Sequence, residues 1–343
     1  MLTGGSRTMG DVGEWGLLKK LLPRLSKGLS KKVIVGPGDD AALVRFGGDV
    51  LAITTDMLVE GVHFRSAWGG GEDLGHKTLA VNLSDLAAMG DVEPTVGVLS
   101  AGLPASTPVT YVADFYRGFS RLARRHGFEL VGGDTVRSDR MTFSLTVLGR
   151  VRGRVFKRSG ARAGDALMVT GTLGDAGAGL VLLEKSSVTV SGRGGKSGRG
   201  SPTDQGVRFL MNRLLRPTPR LEWARRLAQT GAVTACLDAS DGFWKSVTLL
   251  SGSSRVGAEV WTERLPVSPA LRHWAGDRAE GMALAGGEDY ELVFTARRET
   301  ARRIESMGFA RVVGSIVPAA RGVKAYQNGR PREVPSVFEH FNG

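Results

Sequence analysis

Residues 32–40 read KVIVGPGDD: a short apolar run, a Gly-Pro-Gly turn, then two acids, Asp39 and Asp40. β-branched residues favour an extended strand, and glycine with proline ends it in a turn. The same grammar recurs along the chain. Residues 51–55 lead to Asp56, Leu130 and Val131 to Gly132-Gly133-Asp134-Thr135, and residues 235–237 to Asp238-Ala239-Ser240-Asp241-Gly242. Residues 282–285 lead to Gly286-Gly287-Glu288-Asp289. These apolar runs alternate with helix-period stretches at 13–29, 73–89, 109–126, 207–215 and 221–230. That alternation predicts an α/β chain with mixed sheets.

At 343 residues the chain exceeds one ordinary core and is expected to form two domains. A basic, glycine-broken stretch at 152–164 marks the boundary, giving an N-terminal domain at 13–151 and a C-terminal domain at 152–343. Residues 1–12 read as a flexible extension. Residues 186–203 hold Ser, Gly, Lys and Arg without an acid, and read as a flexible insertion in the second domain. Within it Gly195-Lys196-Ser197 copies the end of a phosphate-binding loop, but Val190 stands where that loop needs its first glycine. No apolar span reaches about 20 residues, which excludes a membrane-spanning helix, and no signal peptide opens the chain, so a cytoplasmic location is expected. Cys236 is the only cysteine, so an intrachain disulfide and a thiolate metal cluster are excluded.

The chain carries 46 Lys and Arg against 34 Asp and Glu, a net charge of +12. Such a balance favours anionic partners. Stacking on nucleic acid asks for aromatics among the basic residues, and residues 186–203 contain none. Small phosphorylated substrates fit the acidic turns better. Ligands of α/β proteins gather where strand ends and loops converge, and glycine there lets the backbone present N–H groups to an anion. Carboxylates gathered in one place need a cation between them. Without a His/Cys cluster that cation is hard and oxygen-seeking, Mg²⁺ or Mn²⁺, and such ions bridge substrate phosphates. Asp85 strengthens this reading because it interrupts an otherwise apolar helix face, one turn after Asn82.

These motifs resemble one family. Residues 36–42 (GPGDDAA), 54–64 (TTDMLVEGVHF), 77–90 (KTLAVNLSDLAAMG), 132–135 (GGDT), 238–242 (DASDG) and 286–292 (GGEDYEL) are similar, in order, to the thiamine-monophosphate kinases. That family lies within the aminoimidazole-ribonucleotide-synthetase-like superfamily. The resemblance implies two α/β domains and a homodimer whose N-terminal domains form a shared barrel. It implies ATP as co-substrate, several Mg²⁺ ions and thiamine monophosphate as acceptor. It implies metal ligation by Asp40, Thr54, Thr55, Asp56, Asp85, Asp134, Asp238 and Asp241. It implies ATP contacts from Tyr116, Gly133, Asp134, Arg158 and Ser240, and acceptor contacts from His63, Glu288 and Phe338. Neither the N-terminal reactive cysteine of a selenophosphate synthetase nor the C-terminal cysteine of a hydrogenase-maturation dehydratase is present.

On this reading the acceptor is a phosphate monoester with a second pKa near 6, already anionic at neutral pH. It needs charge neutralisation and in-line positioning rather than a strong base. No residue is expected to act as a covalent nucleophile.

Overall fold

The computed structural model describes residues 8–185 and 202–335. Most of the segment read as an insertion, and Phe338, lie outside the described residues. Thirteen strands among them form two mixed sheets. The first contains β1 (Val33–Val35), β2 (Ala42–Phe46), β3 (Asp49–Val59), β4 (Gly90–Leu103), β5 (Glu129–Arg137) and β6 (Thr142–Val155) in the order β1-β2-β3-β6-β4-β5. Only β4 and β5 pair in parallel. The second contains β7 (Ala166–Thr170), β8 (Val233–Asp238), β9 (Gly257–Trp261), β10 (Leu292–Ala296), β11 (Ala310–Val317), β12 (Val323–Gln327) and β13 (Arg330–Arg332). Its order is β13-β12-β9-β11-β7-β10-β8, with β12 and β9 the parallel pair.

Helix α1 (Met9–Leu25) precedes the first sheet, and α2 (Gly71–Ala88) and α3 (Val109–His126) pack upon it. The rest are α4 (Asp175–Lys185), α5 (Pro202–Leu215), α6 (Leu221–Thr230), α7 (Phe243–Ser254), α8 (Pro269–Ala275), α9 (Ala279–Ala285) and α10 (Arg298–Glu305).

Several boundaries differ from the sequence reading, each for a local reason. Helix α1 starts at Met9, inside the stretch read as a flexible extension. The Asp11 carboxylate accepts from both the N–H and the hydroxyl of Thr8, which caps that first turn. The helix kinks at Gly13, whose φ is 61°. Strand β6 runs to Val155, through part of the expected linker, because its end pairs with Gly90 at the start of β4. Helix α5 begins at Pro202, so the last two residues of the expected insertion are helical. Residues 282–285 belong to α9 rather than to a strand.

Helix α2 is the centre of the molecule. Fourteen of its eighteen residues are buried, as expected of a helix apolar on nearly every side. Leu79, Leu83 and Leu86 enter the core of the first sheet, while Ala87 and Ala88 join a second core with Phe156, Met168, Cys236 and Phe294. Helix α3 crosses it at very short range. A Cβ on Gly75 would stand 1.9 Å from the Phe115 carbonyl oxygen, and one on Gly118 would stand 1.9 Å from that of Glu72. The close approach lets Phe115 stack on Phe143 of β6, with ring centroids 4.3 Å apart.

Gly75→Ala should therefore lower stability by about 3 kcal/mol or prevent folding, since overpacking against backbone has no soft neighbour to yield. Gly48→Ala, where a Cβ meets nothing within 4 Å, should change the melting temperature by little. Thermal denaturation of the two variants checks this; an unchanged melting temperature for Gly75→Ala would contradict the packing.

Candidate active site

A cleft of about 520 Å³ opens where the two domains meet. The turn after β1, the middle of β3, helix α2, the segment after β8 and the segment after α9 all reach it. Each contributes an acid. One carboxylate oxygen apiece from Asp40, Asp85 and Asp238 lie within 4.8 Å of one another.

Asp40 is 1% exposed at its side chain and receives Arg158 through Nη2 at 2.8 Å and Nε at 3.3 Å. Its neighbour Asp39 accepts the main-chain N–H of Arg158 at 3.1 Å. Thr54 donates its hydroxyl to Asp85 at 2.5 Å. Asn82, one turn before Asp85, accepts the Asp56 N–H at 3.1 Å through Oδ1. Asp238 accepts from Ser84 of α2 at 2.6 Å and from Ser240 at 3.0 Å. Asp241 pairs with buried Lys245 at 2.7 Å.

Burial dominates the electrostatics at Asp39, Asp56, Asp85 and Asp238, because desolvation penalises the charged form of a carboxyl. Burial, then Asp40, pushes Asp238 up to about 7. Asp56 is pushed up to about 6 by burial, then by Glu288, Asp241 and Asp40. Asp39 reaches about 6 through burial and Asp40. Asp85 rises well above the usual carboxylate range, by burial and then by Asp56, Asp238 and Asp40. These are hard oxygen donors held close under mutual repulsion. That donor set suits a divalent oxygen-seeking cation such as Mg²⁺.

His63 and Glu288 also line the cleft. His63 Nδ1 accepts the Val59 N–H at 3.1 Å. Glu288 has a φ of 68°, and its N–H donates to the Ser240 carbonyl at 2.6 Å.

Of the residues singled out from sequence, the cleft gathers Asp40, Thr54, Thr55, Asp56, His63, Asp85, Arg158, Asp238, Ser240, Asp241 and Glu288. Thr55 borders it, yet its hydroxyl bonds the Leu145 carbonyl at 3.2 Å and accepts from Thr146 at 3.1 Å, both on β6. Three residues do not join them within this chain. Gly133 and Asp134, expected in a loop, sit inside β5, and the Asp134 carboxylate accepts the N–H of Thr135. Strand β5 lies three places from β3 in the sheet, about 14 Å at ordinary strand spacing. Tyr116 is on α3, partly exposed and edge-on to Phe115. Asp39 and Tyr290 also line the cleft, and Lys77 and Lys245 pair with two of its acids, none of the four having been named as a site residue; Lys77 carried the same signal as Asp85, a charge inside a buried helix.

Residues 38–151 match the family model of the AIR synthase related protein N-terminal domain, and residues 162–326 match the corresponding C-terminal domain. Thiamine-monophosphate kinase of Aquifex aeolicus is 35% identical over 84% of this chain and 87% of its own length. The chain belongs to the thiamine-monophosphate kinase family. The Salmonella typhimurium enzyme of that name is 38% identical, over 82% of each chain. The solved structure of AaThiL complexed with AMPPCP and TMP superposes with a TM-score of 0.82 at 31% identity, covering 98% of this chain and all of that one.

The acids' raised pKa values set a pH dependence. The Asp238 carboxyl, raised from about 4 to about 7 by folding, keeps its proton only in the folded state across that window, and Asp85 is shifted in the same direction. The folded state then binds more protons, so stability declines as pH rises from about 4 to 7. Asp85→Asn removes one of these charges and keeps an acceptor for Thr54. In EDTA it should melt at or above the wild-type temperature at pH 8, and lose less between pH 5.5 and 8. Calorimetry at the two pH values checks this; a less stable Asp85→Asn at pH 8 would contradict it.

Proposed function

We propose that this protein transfers the γ-phosphoryl group of ATP to thiamine monophosphate, forming thiamine diphosphate. The observation that carries the reading is the convergence in one interdomain cleft of Asp40, Asp56, Asp85, Asp238 and Asp241 with Arg158, Ser240, His63 and Glu288. It stands beside membership of a family whose relative was solved with AMPPCP and TMP.

Asp40, Asp85 and Asp238 are the residues that would hold Mg²⁺, with Thr54, Asp56 and Asp241 around them. Bound there, the ions supply charge neutralisation for two polyanions. The chain's own groups do the rest. Arg158 brings positive charge beside Asp40, and Ser240 carries its hydroxyl at the Asp238 carboxylate. His63 and Glu288 face the acceptor, where the Glu288 carboxylate suits a thiazolium cation.

Transfer is direct and in line. The acceptor oxygen is already anionic, so the step requires orientation rather than proton removal. Cys236 is fully buried, and burial followed by Asp40 and Asp238 pushes its thiol well above the ordinary range, which leaves it inert. Incubating the enzyme with γ-labelled ATP and Mg²⁺ without acceptor should leave no label on protein after denaturing quench; a stoichiometric, chemically competent phosphoenzyme would sink direct transfer.

The open face of the first sheet supports a homodimer. Met57, Val98, Val131 and Val136 are 44% to 60% exposed on β3, β4 and β5, a row of apolar side chains that a second copy would cover to close a shared barrel. In that arrangement Tyr116, Gly133 and Asp134 serve the cleft of the partner subunit. Complementation tests both proposals. Asp56→Asn and Asp134→Asn should each cut thiamine diphosphate formation at least 100-fold, and EDTA should abolish wild-type turnover. Co-refolding the two variants should restore up to about a quarter of wild-type activity, because half of randomly paired dimers hold one intact site. No recovery between folded dimers would place Asp134 in its own chain's site or outside the reaction.

A further inference from the structure

Lys77 lies one turn into the buried part of α2, ahead of Asn82 and Asp85, and is 3% exposed. A lysine so deep needs compensation, and two groups supply it. Its Nζ stands 2.5 Å from Glu288 Oε2 and donates to the His63 carbonyl oxygen at 3.2 Å. One ammonium therefore ties together the two residues placed on the acceptor side of the cleft.

The tie crosses the domain boundary. Lys77 and His63 belong to the part of the chain around the first sheet, and Glu288 to the segment leading into β10 of the second. The Glu288 backbone is fixed from its own side. Its N–H is held by Ser240, and next to it the Asp289 carboxylate accepts the N–H groups of Gly174 and Ala176 at 2.6 and 3.1 Å. Positive φ values at Glu288 and Tyr290 turn the chain so that 288 meets the cleft while 289 turns inward. The side chain is fixed from the other side by Lys77 alone among the ion pairs of the described residues. The ammonium end of the pair is 4% exposed, whereas the Glu288 carboxylate is 26% exposed and borders the cleft.

We propose that Lys77 is a positioning residue for the acceptor. It sets Glu288 and the His63 main chain at a fixed separation across the two domains, and so holds the Glu288 carboxylate where the cleft receives the thiazolium. This rests on the kinase reading, in which His63 and Glu288 meet thiamine monophosphate. Nucleotide contacts lie elsewhere, at Arg158 and Ser240, so the loss on removing Lys77 falls on one substrate.

The test measures KM for both substrates in wild type, Lys77→Met, Lys77→Gln, Glu288→Gln and the double variant Lys77→Met/Glu288→Gln. Lys77→Met should raise KM for thiamine monophosphate tenfold or more and change KM for ATP less than about twofold. Lys77→Gln keeps a donor for the His63 carbonyl and should fall between Lys77→Met and wild type, which preserves the test if Lys77→Met does not fold. The double variant should be no worse than the weaker single variant, because both substitutions break one pair. Parallel rises in both KM values, additive losses, or an unchanged acceptor KM would overturn the positioning role. A wild-type enzyme that forms no thiamine diphosphate would overturn the kinase reading and this role with it, whereas an active wild type beside an indifferent Lys77→Met removes the role alone.

Discussion

Like charges kept close together out of water are the constraint around which this molecule is arranged. Asp40, Asp85 and Asp238 come from a turn, a helix and a strand end that are distant in sequence. No local preference would bring them together, and their repulsion opposes it. What holds them is distributed: Arg158 on Asp40, Thr54 on Asp85, Ser84 and Ser240 on Asp238. The remaining cost shows as protons retained well above the usual carboxylate range. Strain of this kind is tolerable because two large apolar cores flank the cleft and supply the stability that the cleft lacks.

Much of this was legible in the sequence, and the reasons are specific. Strand-length apolar runs ending in Gly and Asp located four of the five acidic clusters that the cleft gathers. Asp85 could be picked out because a charge inside an apolar helix is costly unless it has work to do. Lys77 sits two turns earlier in the same helix and makes the same exception, but a basic residue on a helix is so often solvated that it does not stand out. The Gly132-Gly133-Asp134-Thr135 motif misled in the other direction. Glycines suggest a loop, yet here Gly133 is required in a strand, where a Cβ would come within 1.9 Å of the Leu99 carbonyl oxygen.

Other elements left little trace in the sequence. Helix α7 carries Ser, Thr, Lys and Trp without a clear apolar stripe, because Lys245, Ser246 and Ser251 are buried beside Phe243 and Leu250. Strands β12 and β13 are short, and only pairing defines them, β12 with β9 and β13 with β12. Such elements are specified by neighbours distant in the chain, which periodicity within a window cannot report.

The sharing of α2 between two cores has a thermodynamic consequence. A helix that contributes Leu79, Leu83 and Leu86 to one core and Ala87 and Ala88 to another cannot leave either alone. Losing it would open both cores and scatter the acids at once. The two domains are thus coupled into one cooperative unit, and the amide hydrogens of α2 belong with the slowest to exchange, released only when the whole chain opens.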